Sequence, residues 1–368
     1  MKKLDEQLIY DVWLSSVARA NACERCNALR VFGSAKKVFE ATPQELAASE
    51  IAPKMVDLLS DKDLDLAKKI FAECEEKEIG LLQYEDCDYP PLLRDLPDAP
   101  TLLYYVGNLR QLIYPIAMVG ARNFSHYGER YAEKIAYRLA ENGCVIVSGM
   151  ARGIDSIAHK GAIMASGRTI AVLGCGVDVL YPPENGKLKQ MIEKSGAVVS
   201  EHPPGTKPLS MLFPARNRLI CGMSLGTVVV ECTKSSGSRI TADLAWKQGR
   251  VVYTLPTNLD NERGSGNIEM LQKGARMMTC AEDLLRDIGI DAKESSGDLE
   301  VHKAVKGREL SPDQKKIVAA LDKNEPKNTD DLVNLTGLSA QEINALLTIL
   351  EIWGKIRKVS GKNYIKTS

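Results

Sequence analysis

The sequence Val119-Gly120-Ala121-Arg122 decides how this chain folds. It ends an apolar, β-rich segment that begins at Tyr114, and Gly120 interrupts that segment. A polar stretch follows, after which apolar side chains recur near helical spacing at Tyr131, Ile135, Tyr137 and Leu139. The order of strand, glycine turn and helix predicts the entry to a βαβ unit.

The same turn has the features of an anion site. Backbone N–H groups at such a turn and the positive end of the following helix dipole attract anions, and Arg122 adds a permanent positive charge. A tight turn that carries a surface arginine would explain the same residues. This single turn leaves both interpretations open, and its neighbours in the chain favour the first.

Strand and helix patterns alternate on both sides of this turn. The predicted strands are Ile116–Val119, Cys144–Val147, Thr169–Leu173, Ala197–Val199, Thr227–Val230, Val251–Thr254 and Arg276–Thr279. The predicted helices are 128–142, 154–166, 184–195, 237–248 and 267–273. Alternation of this kind predicts an α/β fold with a Rossmann-like, mostly parallel sheet and right-handed crossovers.

Three further regions surround the Rossmann-like domain, which we place at residues 81–290. Residues 1–80 predict an N-terminal helical domain of the sterile-alpha-motif or helix-hairpin-helix type. Residues 291–310 are polar and aperiodic, as in a flexible linker. Residues 311–368 predict a winged-helix-like domain of three helices and a terminal hairpin, whose third helix opens at Ser339. That helix is not basic, so duplex DNA binding and protein interaction both stay open for it.

Composition narrows the class of protein. The 368 residues carry no net charge, and 44% are hydrophobic and 26% charged, as in ordinary globular proteins. No membrane span or signal-peptide core is visible, so we expect a cytoplasmic location. The 9 cysteines are scattered, which suits reduced thiols, and Cys23 and Cys26 lack a second ligand pair for zinc. Zero net charge excludes a uniformly basic nucleic-acid binder but allows a local basic groove.

The residues that follow the predicted strands share one chemistry. Glycine turns, hydroxyl groups, arginines and lysines gather where open α/β sheets place their ligands. These strand-end residues are Gly120, Arg122, Ser148–Asp155, Gly174–Gly176, Phe213–Arg218 and Lys234–Arg239. Of these, Phe213–Arg218 is expected to end a loop that follows the fourth strand. Their spread over several strand ends suits a repeated anionic ligand better than one compact cofactor. A phosphate loop ending in Gly-Lys-Ser/Thr is absent from the sequence.

Candidates for catalysis are few. The four histidines lie far apart in the sequence and match no metal or triad pattern. Glu231 is the carboxylate most suited to act as a general base, and capping of the Ser235–Ser238 turn explains it equally well. Phe124, Tyr127 and Phe213 lie near the basic motifs and could stack on nucleic-acid bases, or could belong to the core.

Five motifs in this order resemble the DNA-processing protein A family (DprA, also called Smf). They are Val119–Arg122, Ser148–Asp155, Ala171–Gly176, Phe213–Arg218 and Lys234–Ser238. The resemblance implies a cytoplasmic, homodimeric, non-enzymatic protein without cofactor or metal, which binds single-stranded DNA and loads the RecA recombinase in DNA processing and natural transformation. It also implies a DNA site built from Gly120, Arg122, Ser148, Gly149, Arg216, Asn217, Arg218, Lys234, Ser235 and Gly237.

Two differences from the family pattern bear on these implications. Ala121 stands where the family often has a serine, which removes one possible hydrogen bond to phosphate but not the Arg122 contact. Met150 replaces the usual leucine, a mild change. The alternative function is a nucleotide-processing enzyme of the nucleoside-monophosphate hydrolase type that uses Glu231 and Arg122. The full glycine-threonine signature of those enzymes is absent from this sequence.

Overall fold

The computed structural model describes residues 5–17, 19–110, 112–291, 310–322, 325–352, 355–359 and 363–366. The chain forms two compact units, each assembled from separate segments. The first unit consists of Met1–Leu112, Ser148–Arg152 and Thr169–Met223. The second unit consists of Ile113–Val147, Gly153–Arg168 and Ser224–Ser368.

The N-terminal stretch is helical, as the sequence predicts. Its helices are α1 (Ile9–Ser16), α2 (Ala22–Phe32), α3 (Ala35–Glu40), α4 (Pro43–Ala48), α5 (Pro53–Ser60) and α6 (Asp65–Glu76). Helix α4 begins at a reciprocal capping box formed by Thr42 and Glu45. Trp13 meets Phe39 edge-on, with ring centroids 5.1 Å apart, within an apolar core shared by these helices.

The first unit also contains a four-stranded sheet segment. Its strands are β1 (Gly80–Gln83), β2 (Leu102–Gly107), β5 (Thr169–Leu173) and β6 (Ala197–Ser200), in the order β1-β2-β6-β5. Strands β5 and β6 are parallel, whereas β2 is antiparallel to both β1 and β6. The flanking helices are α7 (Pro91–Arg94), α10 (Gly186–Ser195) and α11 (Leu212–Gly222). Strand β1 was not predicted, because four residues carry too little periodicity to identify a strand.

Helix α11 corrects a prediction, since Phe213–Arg218 was expected to end a loop. The segment is helical from Leu212 to Gly222. Pro214 is compatible with the helix because it lies in the first helical turn, where its missing N–H would have no intrahelical partner anyway. Burial of Leu219 and Ile220 stabilises the helix, and this packing is not visible in the local sequence.

The second unit carries a parallel sheet segment in the order β4-β3-β7-β8-β9. Its strands are β3 (Pro115–Val119), β4 (Val145–Ser148), β7 (Gly226–Val229), β8 (Val251–Thr254) and β9 (Arg276–Met277). Its helices are α8 (His126–Glu141), α9 (Ile154–Met164), α12 (Gly237–Lys247), α13 (Ser265–Gln272) and α14 (Ala281–Asp287). All residues of β3, β4, β7 and β8 are buried, as predicted for strands covered on both faces. The mostly parallel α/β fold is confirmed, with β9 shorter than predicted and α14 unpredicted.

The C-terminal residues form the predicted winged helix. Its elements are α15 (Pro312–Ala320), β10 (Lys327–Asn328), α16 (Thr329–Thr336), α17 (Ala340–Ile352), β11 (Ile356–Lys358) and β12 (Asn363–Lys366). The strands pair antiparallel in the order β10-β12-β11. Of the predicted linker, only Asp291 and Leu310 belong to the described residues. Gly361, the glycine of the predicted hairpin, lies outside the described residues. Among the described helices, none has both the length and the apolar character needed to cross a membrane.

Candidate nucleic-acid interface

In the second unit, the loops that follow β3 and β7 lie side by side. The two strands are parallel neighbours, with Val119 paired to Val229. Beyond the ends of these strands, the Ala121 amide donates a hydrogen bond of 2.7 Å to the Glu231 carbonyl oxygen. The Arg122 loop (Gly120–Ser125) and the Lys234 loop (Glu231–Gly237) therefore occupy one edge of this unit.

Glu231 holds the Arg122 loop in place. Its side chain is buried, and Oε2 accepts a 2.7 Å hydrogen bond from the Ser125 amide while Oε1 accepts a 2.8 Å bond from the Ser125 hydroxyl. The Ser125 Oγ in turn accepts from the Gly128 amide, at 3.1 Å, and caps α8. The carboxylate thus acts at the Arg122 loop and not as a cap of the Ser235–Ser238 turn, which was one of its two expected roles. With both oxygens engaged by Ser125, its geometry is that of a structural clamp.

Gly153 supports the Arg122 loop from the other side. Its φ is +84°, a left-handed conformation that glycine adopts without strain. A Cβ at this position would come within 2.4 Å of the Ala121 carbonyl oxygen. That same oxygen accepts a hydrogen bond of 3.2 Å from the Ile154 amide. The backbone that carries Arg122 is therefore fixed by two separate segments, at Glu231 and at Gly153.

The Arg122 side chain, in contrast, is exposed. Within the described part of the chain, no carboxylate forms an ion pair with its guanidinium and no side chain hydrogen-bonds to it. A rigid backbone with an uncommitted guanidinium is suited to binding an external anion, because little ordering is needed when the anion arrives.

The Lys234 loop presents a partly neutralised cation. Lys234 is exposed, and its Nζ lies 3.2 Å from Oε1 of Glu269. Arg239 binds the other oxygen of Glu269 at 2.7 Å and donates to the Lys234 carbonyl oxygen at 3.0 Å. Ser235 and Gly237 are exposed beside it. The second unit therefore brings Gly120, Arg122, Lys234, Ser235 and Gly237 to one edge.

In the first unit, Arg216 is buried and binds the Gly149 loop (Ser148–Arg152). Its Nη1 donates to the Gly149 carbonyl oxygen at 2.8 Å and also to that of Val172, and its Nε donates to Oδ1 of Asn217 at 3.2 Å. Its residue exposure is 4%. A Cβ on Gly149 would lie 2.5 Å from the guanidinium, so glycine permits this close approach. Ser148 is itself fully buried.

Arg218 is also engaged within the first unit. It forms ion pairs with Glu201 and Asp98, donates a 2.7 Å hydrogen bond to the Asp98 carbonyl oxygen, and its side chain is 11% exposed. Contact of Arg216 and Arg218 with DNA stays a prediction. Their internal partners favour a supporting role for both, since a phosphate would have to compete with bonds already formed.

An aromatic pair lies on the same unit. Phe213 stacks on Tyr181, with ring centroids 5.2 Å apart and an interplanar angle of 29°, and Tyr181 is 37% exposed. Tyr181 was not among the predicted stacking residues, although it follows the Gly174–Gly176 turn in the sequence. Tyr127 was among the predicted stacking residues. Its hydroxyl donates a hydrogen bond of 2.9 Å to the Pro256 carbonyl oxygen, and its ring packs on Tyr131.

The cysteine thiols near these loops have raised pKa values. Burial raises the pKa of Cys232 to about 12, and burial also raises the pKa of Cys175 to about 11. Both thiols are therefore protonated at neutral pH and poor nucleophiles or metal ligands. Among the described residues, the potential metal ligands that cluster are Asp86, Cys87 and Asp88, and Asp88 pairs with Arg110.

The sequence model of the family described as DNA recombination-mediator protein A matches residues 80–289. The chain belongs to this family. A second model, described as the DprA winged helix domain, matches residues 302–362. Protein Smf from Synechocystis, a family relative, is 35% identical over 324 residues, which cover 79% of this chain and 81% of the relative.

Solved structures agree with membership of the DNA recombination-mediator protein A family. DNA processing protein A from Streptococcus pneumoniae matches with a TM-score of 0.60 at 31% identity, over 80% of this chain and 100% of that chain. The Helicobacter pylori protein, whose structure is described for its single-stranded DNA binding mode, matches with a TM-score of 0.52 at 32% identity, over 57% of this chain and 94% of that chain. The resemblance drawn from the five motifs is confirmed.

Proposed function

We propose that this protein binds single-stranded DNA through the strand-end loops and acts as a recombination mediator that loads RecA onto the strand. The observation that carries the proposal is the Arg122 loop, in which Glu231 and Gly153 fix the backbone while the guanidinium stays exposed. Such a site binds the phosphate of any nucleotide, and it fits the family to which the chain belongs.

In this proposal the predicted site residues divide into two roles. Gly120, Arg122, Lys234, Ser235 and Gly237 contact the DNA backbone directly. Ser148, Gly149, Arg216, Asn217 and Arg218 shape and support the loops of the first unit, and the Tyr181–Phe213 pair offers a face on which a base can stack. The protein would act as a cytoplasmic homodimer, in DNA processing and in natural transformation.

A binding role fits the contacts of Glu231 better than a catalytic one. A general base needs a carboxylate oxygen that can reach a substrate proton, and both oxygens of Glu231 accept bonds from Ser125. The experiment that tests this is a fluorescence-anisotropy titration with deoxythymidine oligonucleotides of increasing length. We expect affinity to rise with length over tens of nucleotides. Saturation by a single nucleoside monophosphate would instead favour the nucleotide-processing enzyme.

Salt dependence gives a second measurement of the site. Arg122 and Lys234, with neighbouring lysines and arginines, would neutralise about two to four phosphates per protomer. Since log K for single strands falls by about 0.7 per phosphate contacted, the slope of log K against log salt should be about −1.4 to −2.8. Anisotropy titrations on a short oligonucleotide between about 50 and about 300 mM salt measure this slope. A slope near zero would contradict a phosphate-binding site.

A homodimer should give a steeper slope of log K against log salt on long oligonucleotides than on short ones. A long strand that engages both protomers would approach twice the slope of a short one, because twice as many phosphates are neutralised. Equal slopes for short and long oligonucleotides would contradict simultaneous engagement of two protomers.

Removal of the winged helix should leave most single-strand affinity intact. The exposed cations of the proposed site lie on loops after β3 and β7, outside the winged helix. We expect a chain that lacks residues 300–368 to bind a long oligonucleotide with less than about tenfold loss, or about 1.4 kcal/mol. Parent and truncated proteins would be compared by anisotropy after circular dichroism has shown equal folding. A larger loss would place the principal site in the winged helix.

A further inference from the structure

The first half of α17 packs against the amino ends of the strands in the second unit. At its start, Glu342 forms an ion pair with Arg276 of β9. Arg276 also donates to Asp287 at the end of α14, at 2.5 Å, and the Tyr253 hydroxyl of β8 donates to the same carboxylate at 2.8 Å. One connected group of side chains, Glu342–Arg276–Asp287–Tyr253, thus joins the winged helix to this sheet. We refer to these four residues as the clasp.

The charges of the clasp stabilise one another despite partial burial. Burial acts to lower the pKa of Arg276. The hydrogen bond from Arg276 to Asp287 and the negative charges of Asp287 and Glu342 have the larger effect, so the pKa of Arg276 is raised. Burial acts to raise the pKa of Glu342, but hydrogen bonds from Ser339 and the charge of Arg276 outweigh it and lower the pKa. Glu342 therefore serves two partners, since one oxygen caps α17 at Ser339 and the other binds Arg276.

Apart from the clasp, the contact is loosely packed. A cavity of about 240 Å³ remains between α17, α14 and the strands, lined in part by Leu225, Val251, Leu284, Pro312 and Leu346. The cavity is partly open to solvent, so this contact resembles an interface that can separate rather than a permanent core.

The face that is covered is the one that winged helices use on duplex DNA. In DNA-binding proteins of this class, residues near the start of the recognition helix contact base edges in the major groove. Here that region contains Glu342 and Ala345, and both line the cavity, while Asn344 lies against Gly249. The adjacent hairpin strands carry Lys358 and Lys366, which are suited to phosphate contact once the helix is accessible.

We propose that the clasp holds the winged helix in a closed position, in which its third helix is masked from duplex DNA, and that breaking the clasp releases a second, double-strand binding surface. This proposal does not rest on the single-strand site, because Arg276 and Glu342 contact the amino ends of the strands and Arg122 follows the carboxyl end of β3. Closed and open positions would give one protein separate responses to single and double strands.

The test compares the full-length parent with Arg276→Gln, Glu342→Gln and the double variant. Glutamine at 342 keeps the capping bond to Ser339 and removes the charge. Lys273→Gln is the matched control, since Lys273 directly follows α13, is exposed and is not among the residues that line the cavity. We expect amide hydrogen exchange in α17 to rise by roughly fivefold in each single variant, as for loss of a partly exposed charge network, and not in the control.

Affinity for a 20-base-pair duplex, a length of about two helical turns, provides the decisive measurement. A charge effect alone would move the two variants in opposite directions, because one loses a positive charge and the other a negative charge. Release of the clasp should raise duplex affinity in both by roughly fivefold, with no further gain in the double variant. Single-strand affinity should stay at the parent value in all of them. Opposite shifts, additive shifts, or unchanged exchange in α17 would overturn the proposal.

Discussion

Replacement of Arg122 by alanine is expected to weaken binding of single-stranded DNA by roughly 5- to 150-fold, or about 1–3 kcal/mol, the range for loss of a charged hydrogen bond. The reason is geometric. The Arg122 backbone is held by the bonds of Ala121 and Ser125, while the guanidinium is exposed, so the substitution removes a binding group without disturbing its support. Thermal unfolding should be unchanged.

Two comparisons sharpen the Arg122 prediction. Arg122→Lys keeps the charge and loses the two-pronged geometry, so it should fall between parent and alanine in affinity. Arg286→Ala removes an exposed arginine from α14, beside the amino ends of the strands, and should bind single strands like the parent. Anisotropy titrations at low salt measure all four proteins. Parent-like affinity in Arg122→Ala would place this residue outside the DNA site.

Replacement of Arg216 by alanine is expected to have its main effect on stability. The substitution removes the guanidinium donor from the buried carbonyl oxygens of Gly149 and Val172 and opens a cavity where the side chain lay. Loss of these buried hydrogen bonds from a charged donor and the large-to-small change together should cost about 3–5 kcal/mol. Urea unfolding followed by circular dichroism measures this loss, and Arg122→Ala serves as the arginine control whose stability should not change.

The Arg216 variant also separates a supporting role from direct DNA contact. If Arg216 supports the Gly149 loop, any loss of affinity should accompany the loss of stability. Arg216→Lys should recover only part of both, since a lysine ammonium cannot keep the Nη1 bonds to the two carbonyl oxygens together with the Nε bond to Asn217. A variant that unfolds like the parent but has lost DNA affinity would make Arg216 a direct contact and contradict the supporting role.

The role of Glu231 in the site could not be predicted from the sequence. Its position after a strand and before a glycine-rich turn suggested a general base or a cap for Ser235–Ser238. The bond it makes is to Ser125, which is 106 positions away in the chain. Local sequence could not reveal this partner, because the two residues meet only when β3 and β7 pair as neighbours.

Helix α11 is a second such case. Phe213–Arg218 was recognised as a functional motif, but its conformation was predicted wrongly, and its arginines were expected to contact DNA. In the structure, Arg216 donates hydrogen bonds to two carbonyl oxygens, and Arg218 forms ion pairs with Glu201 and Asp98. The local sequence of a basic motif does not show whether its arginine faces solvent or buried carbonyl groups.

The sequence by itself determined the parallel strands of the α/β sheet, the glycine turns at their ends, the winged helix and the family. These depend on short-range patterns, namely β-branched runs, helical spacing and residues that favour turns, together with the order of five motifs. Only the tertiary structure decided which cations remain available to a ligand. Exposure of Arg122 and burial of Arg216 depend on segments that are distant in the chain and pack around each side chain, and such contacts leave no local signature.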